Sequence, residues 1–102
     1  MGFTQQAGDF TALSATGASA ESVNCDTAPA VNFLYTISGT GTVKMQQSID
    51  DGDTWTDVAS SSSSTDGAVI AVTDPIGNYR PNVTALSSGT ITVSWRKSHA
   101  GG

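Results

Sequence analysis

Four aspartates within one short stretch, Asp50, Asp51, Asp53 and Asp57, form the densest set of chemistry-bearing side chains in this chain. Carboxylates so close together could hold a hard cation such as calcium. An EF-hand loop, however, needs ligands at fixed positions closed by a glutamate, and that order is absent here. Paired carboxylates for acid–base work need a cleft, whereas these surround Gly52 in a turn pattern that faces water. His99 and Cys25 are the single histidine and cysteine, and the serines lie in turns or in a polar run without a nucleophile elbow. Cys25 reads as a small buried thiol that can form no intrachain disulfide. Gly39-x-Gly41 lacks the third glycine and following helix of a phosphate loop. The expectation is no enzyme, with no catalytic residue, cofactor or metal.

The elements that carry these residues read as strands. Val31, Phe33, Tyr35 and Ile37 alternate with Asn32, Leu34 and Thr36, and Leu34 on the polar side suggests that this face too is partly covered. Ser38 to Gly41 reads as a hairpin turn, because its glycines can adopt positive φ. Alternation resumes in Val43, Met45, Gln47 and Ile49 and ends at Asp50-Asp51-Gly52-Asp53, with a return strand from Thr54 to Val58. Ala59 to Gly67, ASSSSSTDG, has no apolar anchor and is expected to be an exposed, mobile loop. Ala68 to Thr73 is a strand and Asp74-Pro75-Ile76-Gly77 a turn. Asn78 to Thr84 follows, expected at an edge or bulge because Pro81 has no amide donor. After a turn at Leu86 to Gly89, the strand from Thr90 to Arg96 points Ile91, Val93 and Trp95 inward.

About seven short strands at roughly ten-residue spacing, with no helical period, predict an all-β fold: an immunoglobulin/fibronectin-III-like antiparallel β-sandwich without a disulfide. Residues 1–20, with Phe3 and Phe10 as anchors beside Leu13, read as a weakly structured arm or edge strand. Residues 21–96 form the sandwich, and 97–102 a flexible tail that includes a solvated His99. The chain has 102 residues with nine acids against four bases, a net charge of −5, 37% hydrophobic and 13% charged residues. That balance fits one modest folded core and disfavours nucleic acid and anionic membrane as partners. MGFTQQAGDF has no signal-peptide pattern, and no segment approaches the ~20 apolar residues of a membrane span. The expectation is a chain that stays soluble.

Ser48-Ile49-Asp50-Asp51-Gly52-Asp53-Thr54-Trp55 resembles the Asp-box, Ser-x-Asp-x-Gly-x-Thr-Trp. In sialidase propellers and unrelated β domains this is a structural hairpin, which implies that role for Ser48, Asp50, Gly52, Thr54 and Trp55. One copy in a chain this short does not make a propeller. Two registers stay open for Trp55. A four-residue turn sends it to the face of Ser48, and a bulge or shorter turn returns it to the side of Met45. The expectation is the bulge, with the indole in the core.

The closing segment, Asn78-Tyr79-Arg80-Pro81-Asn82-Val83-Thr84 and then Ser87-Ser88-Gly89-Thr90, resembles the end of fibronectin type III domains. The order FLYTISGTGTVKMQQSIDDGDTWTDV, a polar loop, then YRPNVTALSSGTITVSW, resembles small β-sandwich virion proteins of tailed bacteriophages, especially head decoration or cement proteins. That resemblance implies synthesis in a bacterial host cytoplasm, a place on the capsid exterior, the major capsid protein as partner, self-association with a trimer favoured by analogy, and a docking arm carrying Phe3 and Phe10. The alternative is a carbohydrate-binding or host-adhesion module of a phage tail or fibre, with Trp55, Trp95, Tyr35 or Tyr79 as a ring platform.

Overall fold

Two strands of unusual length, β4 (Ala30–Ser48) and β7 (Asn78–Lys97), pair antiparallel from end to end, from Val31↔Lys97 to Ser48↔Asn78. The computed structural model describes residues 6–98. The other strands line the outer edges of this pair. Along β7 run β1 (Ala7–Asp9), β2 (Gly17–Ala18) and β3 (Val23–Asn24). Along β4 run β5 (Thr56–Asp57) and β6 (Val69–Thr73). The described residues are thus all-β and antiparallel, without a helix. Cys25 is a free thiol.

The gaps between the short strands are bridged by hydrogen bonds. On the β7 side, Phe10 donates to Val93, Leu13 exchanges bonds with Ile91, and the Ser19 and Cys25 amides donate to Pro81 and Gly77. On the β4 side, Ser63 exchanges bonds with Val43, and Tyr35 bonds to Ala68 and Gly67. The sheet is therefore four long segments in the spatial order 6–25, β7, β4, 56–73.

A straight strand of 19 residues spans about 60 Å, yet the longest dimension of the molecule is 43 Å. The ring of Tyr79, whose register partner Gln47 is near the end of β4, lies 5.7 Å from that of Phe33 near its beginning. In a flat ribbon about 45 Å would separate those positions. The sheet is folded over, so its two halves face each other as layers. One layer has the order β1, β7, β4, β6, and the other has β2 and β3, β7, β4, β5. The core between them holds Val31, Phe33, Tyr35, Ile37, Val43 and Met45 of β4, Tyr79, Val83, Ile91 and Val93 of β7, and Phe10 and Cys25.

The crease corrects two expected turns. Ser38–Gly41 and Leu86–Gly89 reverse nothing, because the chain runs through both as strand. Gly39 and Gly89 lie opposite each other with φ of +107° and +77°. A Cβ on Gly89 would occupy the place of the Ser38 carbonyl oxygen, and one on Gly39 would collide with that of Ser88. The glycines let two backbones bend together at close approach, and register shifts after Thr40 and Thr42 add bulges that tighten the coil.

The N-terminal segment takes the second of its two expected forms. Residues 6–20 are the outer edge of the sheet rather than an arm beside it, and Phe10 is 4% exposed in the shared core. Phe10 is therefore spent internally and cannot serve as a docking anchor. Phe3 and His99 lie outside the described residues. At the other end, Lys97 still belongs to β7, and the Ser98 amide donates to the Ala30 carbonyl, so the expected tail boundary at 97 falls inside the sheet.

Two further expectations give way to hydrogen bonding. Pro81 sits in an interior strand. Its partner Met45 directs both its peptide groups away from β7, toward Val58 and Ser61. Met45↔Pro81 is then a non-hydrogen-bonded pair, and the proline nitrogen faces the break between β2 and β3, where no ladder bond is required. The serine run is anchored rather than loose. Ser61 is 1% exposed, its Oγ accepts the Met45 amide at 3.1 Å and donates to the Val58 carbonyl at 2.6 Å, and its carbonyl accepts the Tyr35 hydroxyl at 2.7 Å. Asp66 caps the Ile37 amide at 2.9 Å.

Candidate functional site

The hairpin that joins β4 to β5 builds itself from its own side chains. Buried Ser48 donates to Asp50 Oδ1 at 2.8 Å and accepts the Gly52 amide at 2.8 Å. Asp50 Oδ1 also accepts the Thr54 amide at 2.8 Å. These bonds satisfy turn amides that have no ladder partner and let Asp51 and Gly52 adopt φ of +59° and +93°. The Thr54 amide, and then the Ser48 hydroxyl, hold the Asp50 carboxyl below the usual carboxylate range.

Two of the four aspartates are engaged by separate partners. Asp50 is occupied within the turn, while Asp57 pairs with Lys44 Nζ at 2.7 Å and accepts from Gln46. Lys44 is the main reason that the Asp57 carboxyl also lies below the usual range. Among the described residues, no three His, Cys, Asp or Glu side chains converge as metal ligands.

Trp55 is a correction. The pairing Gln47↔Thr56 carries it across from Ser48, the four-residue-turn alternative, and leaves it outside the core. Its indole N–H donates to the Gly52 carbonyl at 3.0 Å, and the Arg80 guanidinium lies 4.2 Å from the ring centroid. Arg80 is held in turn by Gln46 at 2.9 Å. The half-buried ring thus closes the hairpin under a cation. Tyr35 and Tyr79, at 0% and 2% exposure, present no face to a ligand.

A second region lies on the outer face of the β1, β7, β4, β6 layer. The register aligns Asp9, Ser94, Leu34 and Val69 in one row across the four strands, with Ala7, Arg96, Asn32 and Ala71 in the next. Leu34 is 40% and Val69 61% exposed, so the face expected to be partly covered carries an open apolar pair. These two, with Trp95, Asp9, Asn32 and Arg96, line an open groove of about 520 Å³. Trp95 was expected inward and reaches the core only in part. Its indole lies across Gly8, where a Cβ would come within 2.9 Å of the ring, and Lys97 Nζ lies 5.3 Å from its centroid. The sequence carried one sign of this region: Val69 breaks the alternation of the Val-Ile-Ala-Val run.

Every buried side-chain nitrogen and oxygen among the described residues has a hydrogen-bond partner, as expected of polar groups serving packing. Comparison with protein-family models, with curated proteins and with solved structures finds no match for this chain.

Proposed function

We propose that this chain is a non-enzymatic virion protein of a tailed bacteriophage, a capsid decoration or cement protein that binds the head surface and stabilises the shell. The observation that carries this reading is the outer face of the β1, β7, β4, β6 layer, where exposed Leu34 and Val69 adjoin on a surface otherwise formed largely by short polar side chains. A neutral, weakly apolar sheet face suits attachment to another folded protein. The resemblance of FLYTISGTGTVKMQQSIDDGDTWTDV and YRPNVTALSSGTITVSW to small phage sandwich proteins supplies the class. Two facing antiparallel layers support the finer reading of an immunoglobulin/fibronectin-III-like sandwich. In this reading the partner is the major capsid protein, the chain self-associates, with a trimer favoured by analogy, and it sits on the capsid exterior. Fractionation of purified virions and cryo-microscopy test it: the expected result is the chain on the head surface, and its absence from purified particles overturns the reading.

The groove beside Trp95 favours a second reading, a carbohydrate-binding or host-adhesion module. A half-buried indole flanked by Asp9, Asn32 and Arg96 matches a ring platform with polar groups at its rim. A glycan array decides between them: glycan binding lost in Trp95→Ala but retained in Trp55→Ala, with both variants folded, selects the second reading.

A further inference from the structure

Among the described residues β6 is the longest strand at an outer edge of the sheet, and its side away from β4 carries no strand partner. Tyr35 donates to the Ala68 carbonyl at 2.9 Å, and Asp74 donates to that of Pro29 at 3.0 Å. By the alternation of an antiparallel ladder, the peptide groups of Ala68, Ile70 and Val72 then face β4. Those of Val69, Ala71 and Thr73 point outward, and among the described strands β6 packs only on β4. Edges are ordinarily protected by a lysine, a proline, a bulge or a covering loop. Val69-Ile70-Ala71-Val72-Thr73 has none of the residue devices and pairs regularly with β4.

The ends of this edge are charged. Asp66, whose Oδ1 accepts the Ile37 amide, precedes it and Asp74 follows it, both exposed, on a chain of net charge −5. A second copy laid antiparallel on β6 would bring the acidic ends of the two copies together, which opposes self-pairing. The geometry points to β6 as a strand-addition site for an extended, uncharged segment of another protein that carries basic residues at both ends. Three outward peptide groups supply the ladder, the flanking carboxylates select the charge, and the groove at Leu34, Val69 and Trp95 receives an apolar side chain beyond the edge. This inference rests on β6 alone, and it names the surface through which docking on a capsid would run.

The test uses two labelled, end-blocked peptides of alternating Thr and Val, one with Lys at both ends and one with Glu, followed by fluorescence anisotropy at low salt. The Lys peptide is expected to bind at least about tenfold tighter than the Glu peptide, with the difference shrinking in high salt. The double variant Asp66→Asn/Asp74→Asn, which keeps an acceptor for Ile37 and tolerates the positive φ at position 74, is expected to bring the two peptides within about twofold. Ala71→Pro removes an outward donor without touching the β4 ladder and is expected to cost at least about tenfold in binding. A Lys peptide N-methylated at its edge-facing amides reads the same loss with the unaltered protein, should Ala71→Pro misfold. Equal binding of both peptides, no binding, or full binding of the N-methylated peptide overturns the inference. So does a dimer in sedimentation that Ala71→Pro dissolves, which assigns the edge to a second copy. Peptide binding by a chain absent from virions overturns the capsid reading alone, and attachment to virions without peptide binding overturns only the role of β6.

Discussion

Replacing Ser61 by alanine removes one oxygen from a run of five serines, yet it is expected to destabilise the domain well beyond its neighbours. The Oγ is buried and is the only acceptor shown for the Met45 amide, at 3.1 Å. It also donates to the Val58 carbonyl at 2.6 Å. The carbonyl keeps a second donor in the Ser61 amide at 3.3 Å, whereas the Met45 N–H is left without a partner. An orphaned buried donor costs about 1–3 kcal/mol, so about 2 kcal/mol is expected. For a domain of this size that lowers Tm by about 8–16 °C. Ser62→Ala and Ser64→Ala, at exposed positions, should stay within about 0.5 kcal/mol of the parent. Urea titration of the three variants measures the differences, and amide hydrogen exchange at Met45 reports whether its protection is lost in Ser61→Ala. A Ser61→Ala protein as stable as Ser62→Ala, with Met45 still protected, refutes the claim that this serine secures the edge of β4.

Three other outcomes follow from the same reasoning. Gly67 has φ of +87° with nothing near its missing Cβ, whereas at Gly89 the Ser38 carbonyl oxygen fills that place. Gly67→Ala should therefore cost about 1 kcal/mol and Gly89→Ala at least about 3 kcal/mol in denaturant titration, and equal costs would sink the account of the crease. Burial pushes the Cys25 thiol up to about 11, with Lys97 opposing the shift. Because the unfolded thiol ionises first, near about 8.5, the stability linked to it is complete below that pH and is lost as pH rises through 11. Urea midpoints should fall more between pH 7.5 and 10 for the parent than for Cys25→Ala, since burial also raises Tyr35 and Tyr79 in both proteins; parallel falls would contradict this. Asp50 stabilises the hairpin above the ordinary carboxylate range and loses that effect as pH falls through its own lowered value. Carboxyl NMR titration should show the Asp50 value rising in Ser48→Ala, and an unchanged value would detach Ser48 from the turn.

The inward residues were legible because period two survives any bend of a strand: Val31, Phe33, Tyr35, Ile37, Val43, Met45, Ile91 and Val93 are all buried as their alternation requires. The crease was not, because Ser-Gly-Thr-Gly and Leu-Ser-Ser-Gly offer the same positive φ to a turn and to a bend. Only knowing that the two stretches meet distinguishes the two. Ser61 was hidden for a related reason, since five identical residues carry no local mark of which one turns inward. Phe10 looked free because its neighbours are small and polar, although a small core takes a large ring from any edge that reaches it. At Trp55 the wish to bury an indole competed with the turn's own hydrogen bonds. Four local bonds fixed the register, and Arg80 covered the ring without moving it.

The crease also bears on how the molecule comes together. β4 and β7 are joined through residues 49–77, and their closest partners in sequence are Ser48 and Asn78. Loop closure is least costly at that end, which favours pairing that starts beside the hairpin after Ser48 and runs through the two glycines to Val31 and Lys97. Each of the long segments contributes to both layers, so neither layer is a smaller domain that could fold or melt first. Denaturation should therefore be a single cooperative event, and a cut anywhere along the ribbon weakens both faces at once.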